Sequence, residues 1–373
     1  MIHSLDDLPL HQSSAPLLHL STDSAGLYDR YFFNGFADDG SVIFGVALGV
    51  YPNRQVMDAA FSVSVDGVQH NCRSSRRCSV DRTETTVGSI SVEVIVPMLH
   101  HRIVVRDHHG ISADIEMRAA SPVIEEPTFV RRLEGRPVMD YTRITQFGEW
   151  SGWIEIDGTR IELASLGAVQ GCRDRSWGIR GGTRGLPGPA TMPQFFWTWV
   201  PTMFDDLCTH VAVNDDALGR SWHRSGAVVP RHPVDAWTTE AVLDSGPVQR
   251  SEHVETLISW QSGTRWAERL SATIEPWRAA PITVDYEPIA RFHMSGLGYL
   301  HPDWDHGSWH GELAEVRDEI VLDQVNPLDT TMVHVQQVCR ARSNDRVGVG
   351  VLEQLVLGPH APSGLTSVLD GAP

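Results

Sequence analysis

One aspartate stands among arginines and a tryptophan in the run Gly171-Cys172-Arg173-Asp174-Arg175-Ser176-Trp177-Gly178-Ile179-Arg180. Two chemistries are open to it. A carboxyl in a dry aromatic pocket is costly to ionise, so burial would keep Asp174 protonated and able to act as a general acid. Close guanidinium groups act in the opposite sense. They would make the segment a turn closed by an Asp–Arg pair with Trp177 packed on it. Arg173 and Arg180 are candidates to fix that carboxyl or an oxygen of a substrate.

A second run, from Gly298 to Glu312, holds His301, His306 and His310 together with Asp303, Asp305, Trp304 and Trp309. Three imidazoles suggest a metal site. Their spacing matches no metal signature, however, and Pro302 with two glycines opposes a helix, so no metal is expected. The remaining readings are a pocket rim and a solvated turn. On the first, His301 or His306 orients water, while Trp304, Trp309 and His310 contact substrate. A third run, Gln194-Phe195-Phe196-Trp197-Thr198-Trp199-Val200, reads as a strand with Phe195, Trp197 and Trp199 on one face. That face is either barrel core or an aromatic wall whose π electrons stabilise a developing cation. On the late strand His334-Val335-Gln336, the two polar side chains share a face, and Gln336 joins the candidate binding residues. Tyr28 to Gly35 reads as a strand or a pocket edge. The pairs His100-His101 and His108-His109 read as hairpin surface.

Composition narrows the chemistry. The 373 residues include 30 cationic side chains, and every one is arginine. Without lysine there is no Schiff base and no phosphate-loop lysine, which removes pyridoxal-phosphate enzymes and P-loop hydrolases. The formal charge of −17 opposes binding to nucleic acid or to an anionic membrane surface. No G-x-S-x-G and no strand-borne G-x-G-x-x-G occurs, so neither a nucleophile elbow nor a Rossmann cofactor site is indicated. Five scattered cysteines without a C-x-x-C, and an N-terminus without a signal-peptide pattern, lead to the expectation of a cytoplasmic protein with reduced thiols. The longest apolar run, Val42 to Val50, is too short for a membrane span.

The elements that must position these groups are strands. Asp66-Gly67 and Asp157-Gly158 each follow an alternating run and mark type I′ hairpins. His108-His109-Gly110 and Ser343-Asn344-Asp345 mark two more. Helical patterns are few, with Val234 to Asp244 and a turn within Tyr51 to Ala60 as the candidates. The chain is therefore expected to be all-β, with many antiparallel strands closed into barrels to protect their edges. The Gly- and Pro-rich stretch Arg180 to Pro189 reads as a linker. It places a boundary near residue 188, with one barrel over 1–188 and a second over 189–373.

The segment from Gln146 to Arg180, ending Arg173-Asp174-Arg175-Ser176-Trp177-Gly178-Ile179-Arg180, resembles the R-D-x-S-W-G-x-R signature of the carotenoid 1,2-hydratase (hydroxyneurosporene synthase) superfamily. In the second half, Gly298-Tyr299, His301-Pro302-Asp303-Trp304, His306-Gly307, Trp309, His334-Val335-Gln336 and Gly350-Val351-Leu352-Glu353 follow in the order of that superfamily. The resemblance spans roughly residues 20 to 365. It implies two lipocalin-like antiparallel β-barrels packed side by side, with a hydrophobic pocket near their junction. It also implies cofactor-independent chemistry on lipophilic alkenes, as in the carotenoid hydratases and the related Diels–Alderase-like cyclases. By motif position Asp174 is the acid. Cys172 stands where the hydratases carry an aromatic hydroxyl, and Thr145, Gln146 and Phe147 stand where they carry a histidine and tryptophan. The expectation is thus a hydratase, lyase or cyclase-isomerase acting on another terpenoid, steroid-like or polyketide alkene. The alternative is a lipocalin-like carrier of a lipophilic small molecule. A homodimer is an option the sequence leaves open.

Overall fold

A computed structural model describes residues 4–133, 135–181 and 193–373 of the chain. Its described residues form two antiparallel sheets, of fourteen and ten strands. The hairpin turns fall where the dipeptides placed them. Asp66 and Gly67 have φ of 50° and 79°, and Asp157 and Gly158 have 49° and 82°. Positive φ at both central residues is what a type I′ turn needs, and its twist matches that of the strands it joins. The apolar run is the strand Val42–Tyr51, buried along almost its whole length. The helical candidates survive only in part. Val234–Ala236 is a 3₁₀ turn and Thr239–Leu243 a single α turn capped by Thr238. After the 3₁₀ turn Pro52–Arg54, the chain continues as the strand Val56–Val65, because its alternating side chains pack on a sheet face on each side.

The first sheet curls around an apolar interior built from Phe33, Phe44, Phe61, Ile103, Ile115 and Trp150. Its seam is closed by the strand Leu313–Val321, which pairs with Val68–Arg77. Across the seam His108 Nε2 meets the Val316 carbonyl at 2.8 Å, and the Ser89 N–H donates to Glu315 at 2.7 Å. The second sheet encloses Phe204, Val211, Leu270, Val284, Tyr286 and Leu352. The described strands up to Arg180 lie in the first sheet and those from Phe195 onward in the second, except Leu313–Val321, which crosses back. Residue 188 lies outside the described residues. These are two lipocalin-like barrels side by side.

The histidine pairs expected on hairpin surface are half wrong. His101 and His108 are buried, because on alternating strands one member of each pair must face inward. His101 packs on Phe33, and burial with Arg173 beside it holds its imidazole down to about 3.

A third apolar cluster lies between the barrels rather than inside either. It includes Tyr28, Phe32, Tyr141, Phe147, Trp197, Trp199 and Phe292. The strand Leu27–Ala37 is therefore buried on both faces, with Phe33 turned into the first barrel and Phe32 toward the second. Each such fully buried large side chain contributes about 1.5–3 kcal/mol, so the junction holds as firmly as a core. Asn34, fully buried, stitches it. Its Nδ2 donates to Gln336 at 3.1 Å, and its Oδ1 accepts from the Cys172 N–H at 2.8 Å.

Gly171 lets the strands come this close. A Cβ there would lie 2.0 Å from the Asn34 carbonyl, which already accepts the Trp150 indole N–H at 2.8 Å. Gly171→Ala is expected to cost about 1–3 kcal/mol by forcing backbone apart. Urea unfolding of the two proteins checks this.

Candidate functional site

Three adjacent strands of the first sheet, Leu27–Ala37, Val169–Arg180 and Arg136–Ile156, turn one face to the junction. Their registers set the residues in rows. Phe32 and Thr145 flank Asp174, Arg30 and Arg143 flank Ser176, and Tyr28 and Tyr141 flank Gly178. Directly opposed residues of an antiparallel pair share a face. Facing them are Trp197 and Trp199 on Phe195–Trp199, with Leu355 and Glu353 paired beside them on Arg346–Leu357. Between the two faces lies a small cavity of about 40 Å³. A second, larger chamber of about 250 Å³ shares Arg30, Met139, Arg180, Tyr299 and Leu355 with it and is also lined by Tyr51 and Arg54. The two are neighbours, with those five residues between them.

Two carboxyl groups, Asp174 and Glu353, line the inner cavity and a third, Glu126, lies behind its wall residue Arg143; their surroundings set them apart. Glu126 receives both Arg143 nitrogens, at 2.8 and 2.7 Å, and the Thr145 hydroxyl at 2.6 Å. Burial pushes its carboxyl up, but Arg143 and then His210 outweigh it and hold Glu126 well below the usual range. Glu353 accepts from His334 at 2.9 Å, Gln336 at 2.7 Å and the Trp197 indole at 3.0 Å. Burial opposes ionisation here too, and His334 and the other donors overcome it. Asp174 differs. It makes no hydrogen bond or ion pair with a described residue, and it lines the cavity. Burial pushes its carboxyl up to about 6. Arg143 and Arg30 pull it down, while Glu126 and Glu353 push it back up. The two ionised glutamates thus help Asp174 keep its proton.

The cavity wall is aromatic and cationic. The Arg143 guanidinium lies 4.6 Å from the Phe129 ring centroid and 4.8 Å from that of Trp197. Phe32 meets Trp199 edge to face. Between the chambers, Arg30 stands over Tyr299 at 4.7 Å, and Arg180 approaches the same ring at 5.8 Å. Arg30 Nη1 contacts His306 Nδ1 at 2.7 Å, while His306 Nε2 donates to the Leu297 carbonyl at 3.0 Å. Burial and the two arginines hold His306 well below its ordinary value, so the ring is neutral.

Of the residues singled out in the sequence, the fold gathers Asp174, Arg180, His306, Trp197 and Trp199 around this space, with Gln336 one hydrogen bond behind Glu353. Arg173 lies on the opposite face of its strand, bonded to Gln146 at 3.0 Å within the first barrel, where burial holds its guanidinium down to about 10. Trp177, on the same outer alternation, is 42% exposed. His301 closes its own turn by accepting the Trp304 N–H at 3.0 Å. Trp304 stacks on His310 in a separate small cleft, and Trp309 lies against Arg77 at the surface. Among the described residues, no three histidine, cysteine or acidic side chains converge as metal ligands. The five cysteines are free thiols.

Sequence reasoning passed over Glu126, Tyr141 and Arg143, and held Arg30 only within the run read as a strand or a pocket edge. Arg30 carried a signal, since it alternates with the aromatic residues Tyr28, Phe32 and Phe36 on one face of its strand. Glu126 and Arg143 carried none, because their meeting depends on how the chain folds back after Ala119.

The fold and site define a double lipocalin-like protein with a cavity at the barrel junction. The chain belongs to a family of unknown function, DUF8625, whose model matches residues 2–366. No curated protein sequence matches it. Solved structures that it resembles include an AttH-type protein of Nitrosomonas europaea, with a TM-score of 0.54 at 11% identity over 88% of this chain and 92% of that one. Kievitone hydratase from Nectria haematococca gives 0.52 at 10% identity, covering 95% and 96%. CghA with Sch210972 gives 0.50 at 13% identity, covering 89% of each chain. At these identities the likeness is one of fold. No helix among the described residues is long and apolar enough to cross a membrane.

Proposed function

We propose that this protein is a cofactor-independent lyase (hydratase) or cyclase-isomerase that protonates a hydrophobic alkene of terpenoid, steroid-like or polyketide type. The observation that carries the reading is Asp174, an unpaired carboxyl with its proton retained to about pH 6, facing an aromatic cavity between two glutamates held ionised. The Asp174 O–H delivers its proton to one alkene carbon and the π electrons form the new C–H bond, leaving a cation on the other carbon. The faces of Trp197, Trp199 and Phe32 and the ionised Glu353 stabilise that charge. In a hydration, water adds to the cation and its surplus proton returns to the Asp174 carboxylate. In a cyclisation, a second double bond adds instead, and loss of a proton to Asp174 closes the cycle. That one structural relative is named a hydratase agrees with chemistry of this kind.

A carrier is the competing reading, since a barrel can hold one small ligand without chemistry. It is disfavoured because a carrier has no use for an unpaired carboxyl with a costly charge. The test is incubation with a panel of lipophilic alkenes and mass spectrometry of the products, looking for gain of one water or an isomer. Tight binding of a panel member with no conversion would make the protein a carrier. The acid must be protonated to act, so kcat/KM is expected to fall as pH rises through about 6, approaching about one decade per pH unit. A rate that rises through that range would argue for a base instead.

A further inference from the structure

The outer chamber has a charge that the alkene chemistry does not use. Three guanidinium groups line it, those of Arg30, Arg54 and Arg180, against one carboxylate, Asp305. This positive wall occurs in a chain of formal charge −17. Arg30 is 3% exposed, yet its Nε and Nη2 have no hydrogen-bond partner among the described residues. Its one bonded nitrogen meets a neutral imidazole, and its other close neighbour is the Tyr299 ring. Asp58 lies behind it but spends one oxygen on the Gly307 N–H, at 2.6 Å. Among the described residues Arg180 makes ring contacts only, with Tyr141 and Tyr299. Unsatisfied N–H groups on a buried guanidinium cost the fold free energy that a matching acceptor returns. The acceptor geometry suited to such a fork is a planar oxyanion.

We propose that the outer chamber is an anion seat, in which Arg30 and Arg180 hold a carboxylate or an equally acidic enolate of the substrate while its apolar body reaches inward to Asp174. The inference rests on the reading of the inner cavity as a lipophilic site, and it narrows the substrate to a lipophilic alkene bearing an acid. Arg30 lies in the row of Ser176, one rung from the row of Asp174. The anionic head and the protonated carbon are therefore separated by roughly 7 Å along the strand. Arg54, whose Nε donates to the Ala25 carbonyl at 2.8 Å, sits at the rim, where its charge guides the acid inward.

The test compares two probes with the same polyene body, retinoic acid and retinol, by quenching of tryptophan fluorescence in the full-length protein. The acid is expected to bind about tenfold or more tightly than the alcohol, as one to two charge-assisted hydrogen bonds provide. In Arg30→Gln and in Arg180→Gln the acid loses most of that preference while the retinol Kd stays within about twofold. Asp174→Asn should keep the preference, because removing the acid removes no part of the seat. Equal binding of the two probes by the wild-type protein overturns the anion seat and leaves the inner-cavity reading standing. A preference that survives in both arginine variants also overturns it. Failure of both probes to bind overturns the seat together with the lipophilic cavity, whereas acid preference without turnover of any alkene acid upholds the seat and tells against catalysis.

Discussion

Asp174→Asn is expected to lower turnover by about 10²–10⁴-fold while making the protein more stable at neutral pH. The loss follows from the site. The substituted amide would fill the same space opposite Phe32 and Thr145, so the aromatic wall and the glutamates remain, but no proton can be delivered to the alkene. The gain in stability follows from the same burial that raises the pKa. In the unfolded chain Asp174 titrates near 3.8 and in the fold near 6. Below about pH 3 both states hold the proton, and aspartate costs nothing relative to asparagine. Between pH 4 and 6 the unfolded chain ionises while the folded one does not, so stability is lost progressively. Above pH 6 the loss is complete. A shift of this size corresponds to about 3 kcal/mol, and contact with the cavity reduces it toward about 2 kcal/mol. The variant should thus match the wild type in urea at about pH 3 and exceed it at pH 8. A variant that is inactive and no more stable at pH 8 would mean that the carboxyl is satisfied in the wild type. A variant that keeps its turnover would remove Asp174 from the chemistry.

How far the site could be read in advance depended on the range of the contacts involved. The turns Asp66-Gly67 and Asp157-Gly158 were legible because a dipeptide determines them. The aromatic face of Phe195, Trp197 and Trp199 was legible because alternation along one strand determines it. Asp174 could be singled out, but the balance between burial and arginine could not, since the two arginines that flank it in the motif proved to be bystanders. Arg173 and Arg175 point to the other face by parity, and Arg175 pairs with Asp29. The arginines that act on Asp174 are Arg143 and Arg30, which come from neighbouring strands. The histidine-rich loop misled for the same reason. His301, His306 and His310 are close in sequence, but only His306 reaches the chamber beside Arg30, while His301 closes its own turn and His310 stacks on Trp304. The crossing of Leu313–Val321 into the first barrel left no local trace, because an edge strand that closes a seam looks like any other amphipathic strand.

The largest expected loss of stability is at Arg143. Arg143→Met removes both hydrogen bonds to Glu126 and leaves that 3% exposed carboxylate with Thr145 and with His210 Nε2 at 3.3 Å. Breaking a buried pair from one side costs about 3–5 kcal/mol, because the remaining charge has no compensation. Replacing both partners, as in Arg143→Met with Glu126→Met, removes the stranded charge and should restore most of the loss. The same pair reaches the chemistry. Arg143 is the strongest influence holding the Asp174 carboxyl down, and Glu126 the next to push it up. Loss of Arg143 alone therefore moves the alkaline limb of the activity profile upward from about 6, so more of the enzyme is protonated at neutral pH. Loss of both partners removes opposed influences and returns the limb toward its original place. Urea unfolding and pH profiles of the single and double variants measure the two effects on the same proteins. A single variant with full stability and an unmoved limb would mean that Arg143 neither stabilises Glu126 nor acts on Asp174. A double variant as unstable as the single one would assign the loss to the contacts of Arg143 with Phe129 and Trp197 rather than to the stranded carboxylate.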